Sequence, residues 1–510
     1  MQTVTAISQF VQRVSIHKVR SVRPGLWILP TLLFIALYTW RPFTLGFYSD
    51  DWSNLVESTR YGAPFSLERL LRFMEVVPYA RPLQIVEQYV ASSLFGSSAV
   101  AWHLGLIALV AVSCWALHRF LVALGADSRV ATSTCALWLV FPWALGYRAW
   151  PIAVPILLSV ICFLSGSTAL LRLRAWPAVA WYTAGMLIYE AFYFQFAVIL
   201  AIRLASADTR RWALRQALAP LFLVQVMLIV GNRWAASVQP HMAKQFDDTW
   251  MVTLLSEFVH LPVNMAGAVV TGRWLALGLV ISLFVVFGVL ALRAKERSRR
   301  VALLAVSLGV VLSLVVLVIA GYYLYPVGHF SRTFVAVNVW MTAFMALAWG
   351  RTPSRRWLRL AMKGSVALVL IVFAVSTLLQ TVTWHEWWQE EKAILATVPV
   401  DALRQIDPGA VILTVGIPNV AGLPVFGDTW GLSAAVANEV PATRTETGGY
   451  RIFTPSRPGE TPRLDRQLLA KLNFVDDRES GELWLWQWPG RTLRPITAAQ
   501  MLSSSGQLLY

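Results

Sequence analysis

Charged residues are scarce in this sequence. Of its 510 residues, 14% are charged and 57% are hydrophobic, a composition that is too apolar for an ordinary soluble domain. Several apolar runs reach about 20 residues, the length at which a helix crosses the hydrocarbon core of a bilayer. We therefore predict a polytopic α-helical membrane protein and exclude a soluble globular enzyme.

Cysteines are few, and the common catalytic motifs are missing. The three cysteines, Cys114, Cys135 and Cys162, lie inside apolar runs, so we expect neither a disulfide nor a cysteine-bound metal. The sequence contains no P-loop, no glycine-rich dinucleotide fingerprint, no HExxH motif and no serine nucleophile elbow. These absences argue against a nucleotide-driven enzyme, a zinc protease and a serine hydrolase.

The basic residues indicate a membrane topology. The net charge is +16, but the lysines and arginines form short clusters between apolar runs, as the positive-inside rule describes. This pattern argues against a nucleic-acid partner and places the basic N-terminal 25 residues in the cytoplasm. The eleven spans predicted on this basis are about 26–45, 99–122, 129–146, 151–171, two short helices within 177–204, 212–231, 274–293, 301–322, 333–349 and 364–383.

The stretch 177–204 is the point on which this topology depends. As one long span, it would place every later basic cluster outside the cell. Two short helices with a turn near Tyr189, Glu190 and Ala191 restore the positive-inside pattern. The turn also keeps Glu190 away from the bilayer centre, where a lone carboxylate costs several kcal/mol. We therefore predict a helical hairpin.

We predict two domains. Residues 1–383 form a transmembrane domain whose first outer loop covers 46–98. Within that loop, charged and apolar residues alternate over 53–97, which predicts amphipathic helices that lie on the outer surface.

Residues 384–510 are predicted to form a small extracytoplasmic α/β domain. Their composition changes to more proline, glycine and charge. A helix is expected at 386–403, and short apolar runs at 410–415 and 483–486 predict strands.

The predicted topology places eight candidate site residues on the outer side of the membrane: Asp50, Asp51, Arg81, Arg148, Glu190, His241, His329 and Arg332. A shared side is what a common site requires.

Asp50 and Asp51 directly follow the first predicted helix. A general base for a sugar hydroxyl needs a carboxylate whose proton affinity is increased by burial or by a neighbouring charge, and two adjacent acids supply that charge. The neighbouring Trp52 favours Asp51 as the base because it excludes water. If a metal binds, one of these two residues is its expected ligand. The alternative is that one of them caps the following helix.

The arginines and Glu190 have structural alternatives as well. Arg332 can grip a phosphate at two points, or it can anchor the helix at lipid headgroups. The same two possibilities apply to Arg81 and Arg148. Glu190 either holds a sugar hydroxyl or pairs with an arginine.

The remaining candidates lie in predicted outer loops. His241 follows Pro240 in the long loop 233–272, and His329 lies in a short loop before Arg332. An ordinary loop histidine is the alternative for His241. The acidic pair Asp247-Asp248 in the same long loop fits a helix cap as well as a site.

The order of these motifs resembles the membrane glycosyltransferases of the C superfamily (GT-C), such as the protein O-mannosyltransferases and the aminoarabinose transferase of lipid A. Members carry an acidic motif after the first helix, here Ser49-Asp50-Asp51-Trp52. Some have an Arg-Pro-Leu-like motif, here Tyr79 to Leu83, and a hairpin with an acidic residue near its turn, here Ile188-Tyr189-Glu190. A late basic residue, here Arg332, often meets the donor phosphate. Unlike some members, this chain has Arg148 where an acidic residue is expected.

The resemblance implies a GT-C-like fold over about residues 1–383 and a polyprenyl-phosphate-linked sugar donor. A carboxylate would deprotonate an acceptor hydroxyl on a glycan, lipid or protein, and the sugar would be transferred with inversion. The implied location is the bacterial inner membrane, with the N-terminus in the cytoplasm. No cofactor is certain, and a divalent cation is left open.

Two other functions fit a membrane protein of this kind. One is a transporter or flippase of lipid-linked saccharides, which is expected to carry polar residues at mid-membrane and symmetric repeats. The other is a non-catalytic envelope assembly protein whose outer domain binds its partner.

Overall fold

The computed structural model describes residues 27–48, 50–56, 62–238, 256, 260–261, 297–319, 328–349, 356–406, 411–415, 418–420, 423–426, 432, 435–436, 451–453 and 483–495. These residues form two compact units. The described residues of the first belong to Met1–Phe43, Val77–Glu87 and His103–Thr381, and those of the second to Thr44–Val76, Gln88–Trp102 and Val382–Tyr510.

α-Helices account for most of the described residues. In chain order they are α1 (Ile28–Tyr38), α2 (Leu67–Val76), α3 (Pro82–Phe95), α4 (Ala99–Ala123), α5 (Ser128–Val140), α6 (Gly146–Ala149), α7 (Val154–Leu171), α8 (Ala175–Ile188), α9 (Phe196–Leu204), α10 (Ala207–Trp212), α11 (Ala219–Val238), α12 (Arg297–Ile319), α13 (Val335–Trp349), α14 (Arg356–Ala396) and α15 (Val400–Leu403). Short 3-10 or π turns lie at Arg41–Phe43, Trp52–Val56, Pro142–Ala144, Pro151–Ala153, Glu190–Phe192, Ala213–Leu218 and Gly328–Phe334.

Six helical stretches in the described part of the chain are long and apolar enough to cross a membrane. They are Ala99–Ala123, Pro151–Leu171, Asp208–Ala235, Arg299–Leu317, Ser331–Trp349 and Gly364–Ala396. Large apolar side chains such as Phe222, Met227 and Val230 of α11 are exposed, as a lipid-facing surface requires. These features are those of a helical membrane protein, and this part of the predicted class is confirmed, whereas a GT-C-like arrangement stays a prediction.

The predicted count of about eleven spans stays a prediction. Four of the predicted spans contain helices that are short for a bilayer: α1 has 11 residues, α5 has 13, α8 has 14 and α9 has 9. The predicted span at 274–293 lies outside the described residues. The helix predicted at 129–146 ends earlier than expected, at Val140, because Pro142 cannot continue an α-helix.

The predicted hairpin within 177–204 is present. α8 ends at Ile188, the 3-10 turn Glu190–Phe192 follows, and α9 begins at Phe196. In one continuous helix, Tyr182 and Phe196 would lie about 21 Å apart along the axis. Their ring centroids are 5.1 Å apart instead, so the chain reverses direction at the turn.

The last membrane helix, α14, is longer than the sequence predicted. The sequence predicted one helix at 364–383 and a separate one beginning at 386, but the structure has a single helix of 41 residues from Arg356 to Ala396. No proline or glycine interrupts residues 365–396, so nothing breaks the helix after it leaves the apolar stretch.

The two helices of the predicted first outer loop turn apolar side chains outward. α2 exposes Leu67, Leu71 and Met74. α3 buries Gln84, Gln88 and Ser92 and exposes Leu83, Val86, Val90 and Leu94. An apolar outer face of this kind suits helices that contact lipid.

The C-terminal strands form a mixed sheet in the second unit. They are β1 (Val411–Val415), β2 (Asn419–Val420), β3 (Leu423–Pro424), β4 (Arg451–Phe453), β5 (Leu483–Gln487) and β6 (Leu493–Pro495). The four-stranded sheet has the order β4-β1-β5-β6, with β1 parallel to β4 and β5 and with β6 antiparallel to β5. Strands β2 and β3 pair separately.

Both predicted strands, at 410–415 and 483–486, are therefore confirmed. The extracytoplasmic α/β domain as a whole stays a prediction, because much of 384–510 lies outside the described residues.

Small residues let the helices of the first unit pack closely. A Cβ atom at Gly185 of α8 would lie 3.1 Å from Cys162 of α7, and one at Gly309 of α12 would lie 2.7 Å from the ring of Trp340 in α13. The Trp340 ring is fully buried, and its Nε1 donates to Gln195 Oε1 over 2.7 Å. Close approach at small residues is how membrane helices gain packing energy.

Gly309→Ala is expected to destabilise the protein by about 1–3 kcal/mol, because overpacking a held aromatic ring costs that much. Gly231→Ala is the matched control, since a Cβ atom at Gly231 of α11 meets nothing within 4 Å. Thermal unfolding of both variants in detergent checks this. Equal melting temperatures would contradict the close contact between α12 and α13.

Candidate functional site

The acidic motif after α1 forms a tight turn. Asp51 is fully buried, and its Oδ2 accepts a hydrogen bond from the Tyr48 backbone N–H over 2.9 Å. Its own N–H donates to the Tyr48 carbonyl over 2.8 Å. These two hydrogen bonds close the turn between Tyr48 and Asp51. Asp50 is half-buried, and its carbonyl accepts a hydrogen bond from Asn54 Nδ2 over 2.9 Å.

Aromatic contacts attach this turn to the C-terminal part of α14. The Tyr48 hydroxyl donates to the Trp384 carbonyl over 3.0 Å, and Trp52 Nε1 donates to the buried Glu391 Oε2 over 3.0 Å. Trp52 also stacks on Trp388, with ring centroids 6.1 Å apart. The acidic motif therefore has a rigid support.

Glycine is required next to this turn. A Cβ atom at Gly46 would lie 2.0 Å from the Trp388 ring. The sequence analysis did not predict that Glu391 and the neighbouring tryptophans contact the acidic motif. The signal for them was the run Trp384-His385-Glu386-Trp387-Trp388, which is rich in aromatic residues for a segment that leaves the membrane.

In the first unit, two predicted site residues meet. Arg81 Nε donates to Glu190 Oε2 over 2.6 Å, and Arg81 Nη2 donates to Glu190 Oε1. Arg81 Nη1 is 3.4 Å from Gln84 Oε1. The pair is half-buried, with side-chain exposures of 18% for Arg81 and 21% for Glu190. Such a two-point pair is strong and fixes the orientation of both side chains.

Aromatic and amide groups surround this pair. The Arg81 Cζ lies 4.6 Å from the centroid of the Tyr189 ring. The Tyr193 hydroxyl accepts a hydrogen bond from Asn232 Nδ2. Burial, and then the negative charge of Glu190, raise the pKa of Tyr193 to about 12. The Tyr193 phenol therefore stays protonated at neutral pH.

Arg148 supports the end of a helix. It is fully buried and donates to the carbonyls of Trp138, Leu139 and Phe141 and to the Tyr38 hydroxyl over 2.8 Å. These carbonyls end α5, where a helix leaves acceptors unsatisfied and favours a cation. These contacts are structural, and a substrate-binding role for Arg148 stays a prediction.

Arg332 lies in the 3-10 helix Gly328–Phe334, at the start of α13. Its Cζ is 4.3 Å from the centroid of the Trp150 ring, and the side chain is half-buried. The neighbouring Ser331 Oγ accepts a hydrogen bond from the Gly146 N–H over 2.7 Å. The turn that carries Arg332 is thus attached to the connection between α5 and α7.

The predicted site residues fall in different parts of the chain. Asp50 and Asp51 belong to the second unit, whereas Arg81, Arg148, Glu190 and Arg332 belong to the first. His329 lies in the 3-10 helix with Arg332. Outside the described residues lie His241, Asp247, Asp248 and the basic N-terminus. A single cavity shared by the carboxylates and the arginines stays a prediction.

The described residues contain no group of three or more His, Cys, Asp or Glu side chains that could hold a metal ion. A divalent cation bound by Asp50 or Asp51 stays a prediction. Neither known protein-family models nor curated proteins show a match to this chain, so the resemblance to the GT-C enzymes rests on the motifs alone.

Glu87 is a buried acid that the sequence did not single out. It lies on α3, half-exposed as a residue, but both carboxylate oxygens are buried and have no hydrogen-bond partner among the described residues. Burial raises the pKa of Glu87 from 4.5 to about 8. Near neutral pH, this side chain is therefore largely a neutral carboxylic acid.

Between about pH 4.5 and 8, the folded protein holds a proton on Glu87 that the unfolded chain has lost. Stability should therefore fall as the pH rises through this window. Glu87→Gln should remove that loss, so its melting temperature relative to the parent should be higher at pH 8.5 than at pH 5. Glu75→Gln, at a side chain that is 68% exposed, is the control. Parallel pH profiles for the parent and Glu87→Gln would contradict the burial of a neutral acid.

Proposed function

We propose that this protein is an integral-membrane glycosyltransferase. It moves a sugar from a polyprenyl-phosphate donor to an acceptor hydroxyl on the outer face of the cytoplasmic membrane. The observation that carries the proposal is the pairing of Arg81 with Glu190, 109 residues away. These residues come from two separate motifs that resemble those of the GT-C enzymes, and a common site requires such motifs to meet.

The donor suits the proposed location. Nucleotide sugars are not available outside the cytoplasmic membrane, whereas a lipid-borne donor carries its sugar to the outer face. When the sugar is transferred, the anomeric C–O bond to the phosphate breaks, and its electron pair stays on the phosphate oxygen. Arg332 is the proposed cation for that leaving group, because a guanidinium binds phosphate at two points.

The acceptor hydroxyl loses its proton to a carboxylate as its oxygen bonds to the anomeric carbon, which inverts the configuration there. A base must touch the hydroxyl that it deprotonates. Exposure favours Asp50 for this role, since Asp50 is half-buried and Asp51 is fully buried. Asp51 then acts as a positioning residue that holds the turn through Tyr48. This choice replaces the preference for Asp51 that Trp52 suggested.

The proposed sidedness follows the basic clusters. The N-terminus lies in the cytoplasm, and the residues after α14 lie outside the membrane. The acceptor is a glycan, a lipid or a protein of the cell envelope.

Asp50→Asn should lower sugar transfer by about 10²- to 10⁴-fold, because it removes the general base. Asp51→Asn should retain transfer to within about tenfold, since an amide oxygen can still accept the hydrogen bond from the Tyr48 backbone N–H. The assay uses the full chain in nanodiscs, a panel of radiolabelled polyprenyl-phosphate sugars and a total envelope extract as acceptor.

Two results would contradict the proposal. One is that the parent protein transfers no sugar from any donor in the panel. The other is that Asp50→Asn folds normally and transfers sugar at the parental rate. Movement of intact donor lipids across vesicles, without cleavage of the sugar–phosphate bond, would instead indicate a transporter.

A further inference from the structure

The Arg81–Glu190 pair belongs to a circuit of contacts, by which we mean that three segments of the first unit (79–81, 190–193 and 232–234) each contact the other two. Tyr79 stacks on Trp234 of α11, with ring centroids 6.4 Å apart and planes inclined by 23°. On the same helix, Asn232 donates to the Tyr193 hydroxyl. Tyr193 follows the 3-10 turn of Glu190, and Glu190 pairs with Arg81, two residues after Tyr79. These contacts thus link the side chains of Tyr79, Tyr193 and Trp234 to one ion pair.

This cluster has little net charge to offer a ligand. Two of the three guanidinium nitrogens of Arg81 donate hydrogen bonds to the two carboxylate oxygens of Glu190. The third nitrogen lies near Gln84. Opposite charges in such contact largely cancel at a distance. A phosphate would have to break this pair to reach the guanidinium. The cluster therefore favours an uncharged polar ligand over an anion.

Trp234 provides an open aromatic surface. It lies near the end of α11, with 59% of its surface exposed, although Tyr79 stacks on it. The face of an aromatic ring carries a negative quadrupole, which attracts weakly positive hydrogen atoms. The C–H hydrogens on one face of a pyranose ring are of this kind, and the hydroxyls at its edge need hydrogen-bonding partners.

Such partners are present in the same circuit. The protonated Tyr193 hydroxyl has a hydrogen to donate while it accepts from Asn232. A carboxylate oxygen, such as those of Glu190, can accept more than one hydrogen bond. Aromatic walls with a few fixed polar groups are typical of small-molecule sites.

We propose that Tyr79, Tyr193, Trp234 and the Arg81–Glu190 pair form a subsite for a neutral saccharide ring, with Trp234 as its stacking surface. The subsite binds the sugar as a ligand in its own right. Its use in catalysis, as the place where the acceptor glycan or the transferred sugar is held, rests on the glycosyltransferase function proposed above. An exposed tryptophan that only anchors the protein at the membrane interface is the alternative.

Saturation-transfer difference NMR on the full chain in nanodiscs tests the subsite. The probes are the methyl glycosides of glucose, galactose, mannose, N-acetylglucosamine and arabinose, with glucose 1-phosphate as the anionic probe. At least one methyl glycoside should bind, and more tightly than glucose 1-phosphate. Trp234→Ala should weaken its binding about three- to tenfold, the range expected for one lost aromatic contact, whereas Trp234→Phe should keep most of it.

Trp176→Ala is the matched control, because Trp176 of α8 is 75% exposed in the same unit. Equal behaviour of Trp234→Ala and Trp176→Ala would show a membrane anchor only and overturn the subsite. Absence of binding by every methyl glycoside, or tighter binding of glucose 1-phosphate, would also overturn it.

The same variants, examined in the transfer assay, separate the two proposals. Binding that depends on Trp234, in a protein that transfers no sugar, supports the subsite and overturns the glycosyltransferase function. Sugar transfer without any binding that depends on Trp234 overturns the subsite and leaves the glycosyltransferase function intact.

Discussion

A half-buried ion pair joins two segments of the first unit that are 109 residues apart in the chain. A charge that leaves water needs an opposite charge in good geometry, since an unpaired one costs several kcal/mol. Arg81 and Glu190 satisfy each other at two points, and this fixes the hairpin turn beside the start of α3. The Arg81 guanidinium lies 4.6 Å from the centroid of the Tyr189 ring, and Tyr79 and Tyr193 are close to the pair in the chain. The proposed saccharide subsite exists only if this pair forms.

The same requirement explains other buried polar groups. Arg148 is fully buried and satisfies carbonyls at the end of α5, where Pro142 stops the helix. Asp51 is buried, and its carboxylate accepts a hydrogen bond from the Tyr48 backbone N–H. Residues that suggest chemistry in the sequence thus have structural partners here. A chemical role requires a side chain that a substrate can reach. Asp50 and Arg332 are only half-buried, which is why they carry the proposed transfer.

Runs of apolar residues were sufficient to predict the six long apolar helices of the described part of the chain, and two strands of the sheet. The hairpin turn was predictable because one long span would invert every later basic cluster and would place the Glu190 carboxylate at mid-bilayer. The continuity of α14 was missed, because a change in composition does not break a helix. The partners of Arg148, and the contact between Tyr79 and Trp234, were also missed. A sequence shows which residue types are present, but tertiary packing decides which of them meet.

A double-mutant cycle on Arg81→Ala and Glu190→Ala tests the central claim most directly. The measurement is the free energy of unfolding of the parent, both single variants and the double variant in mixed micelles. A half-buried two-point pair predicts a coupling energy above about 1 kcal/mol. The same cycle on the pair Arg72–Glu75, whose glutamate is 68% exposed, should give a coupling energy of only a few tenths of a kcal/mol. Equal coupling energies for the two pairs would contradict the account.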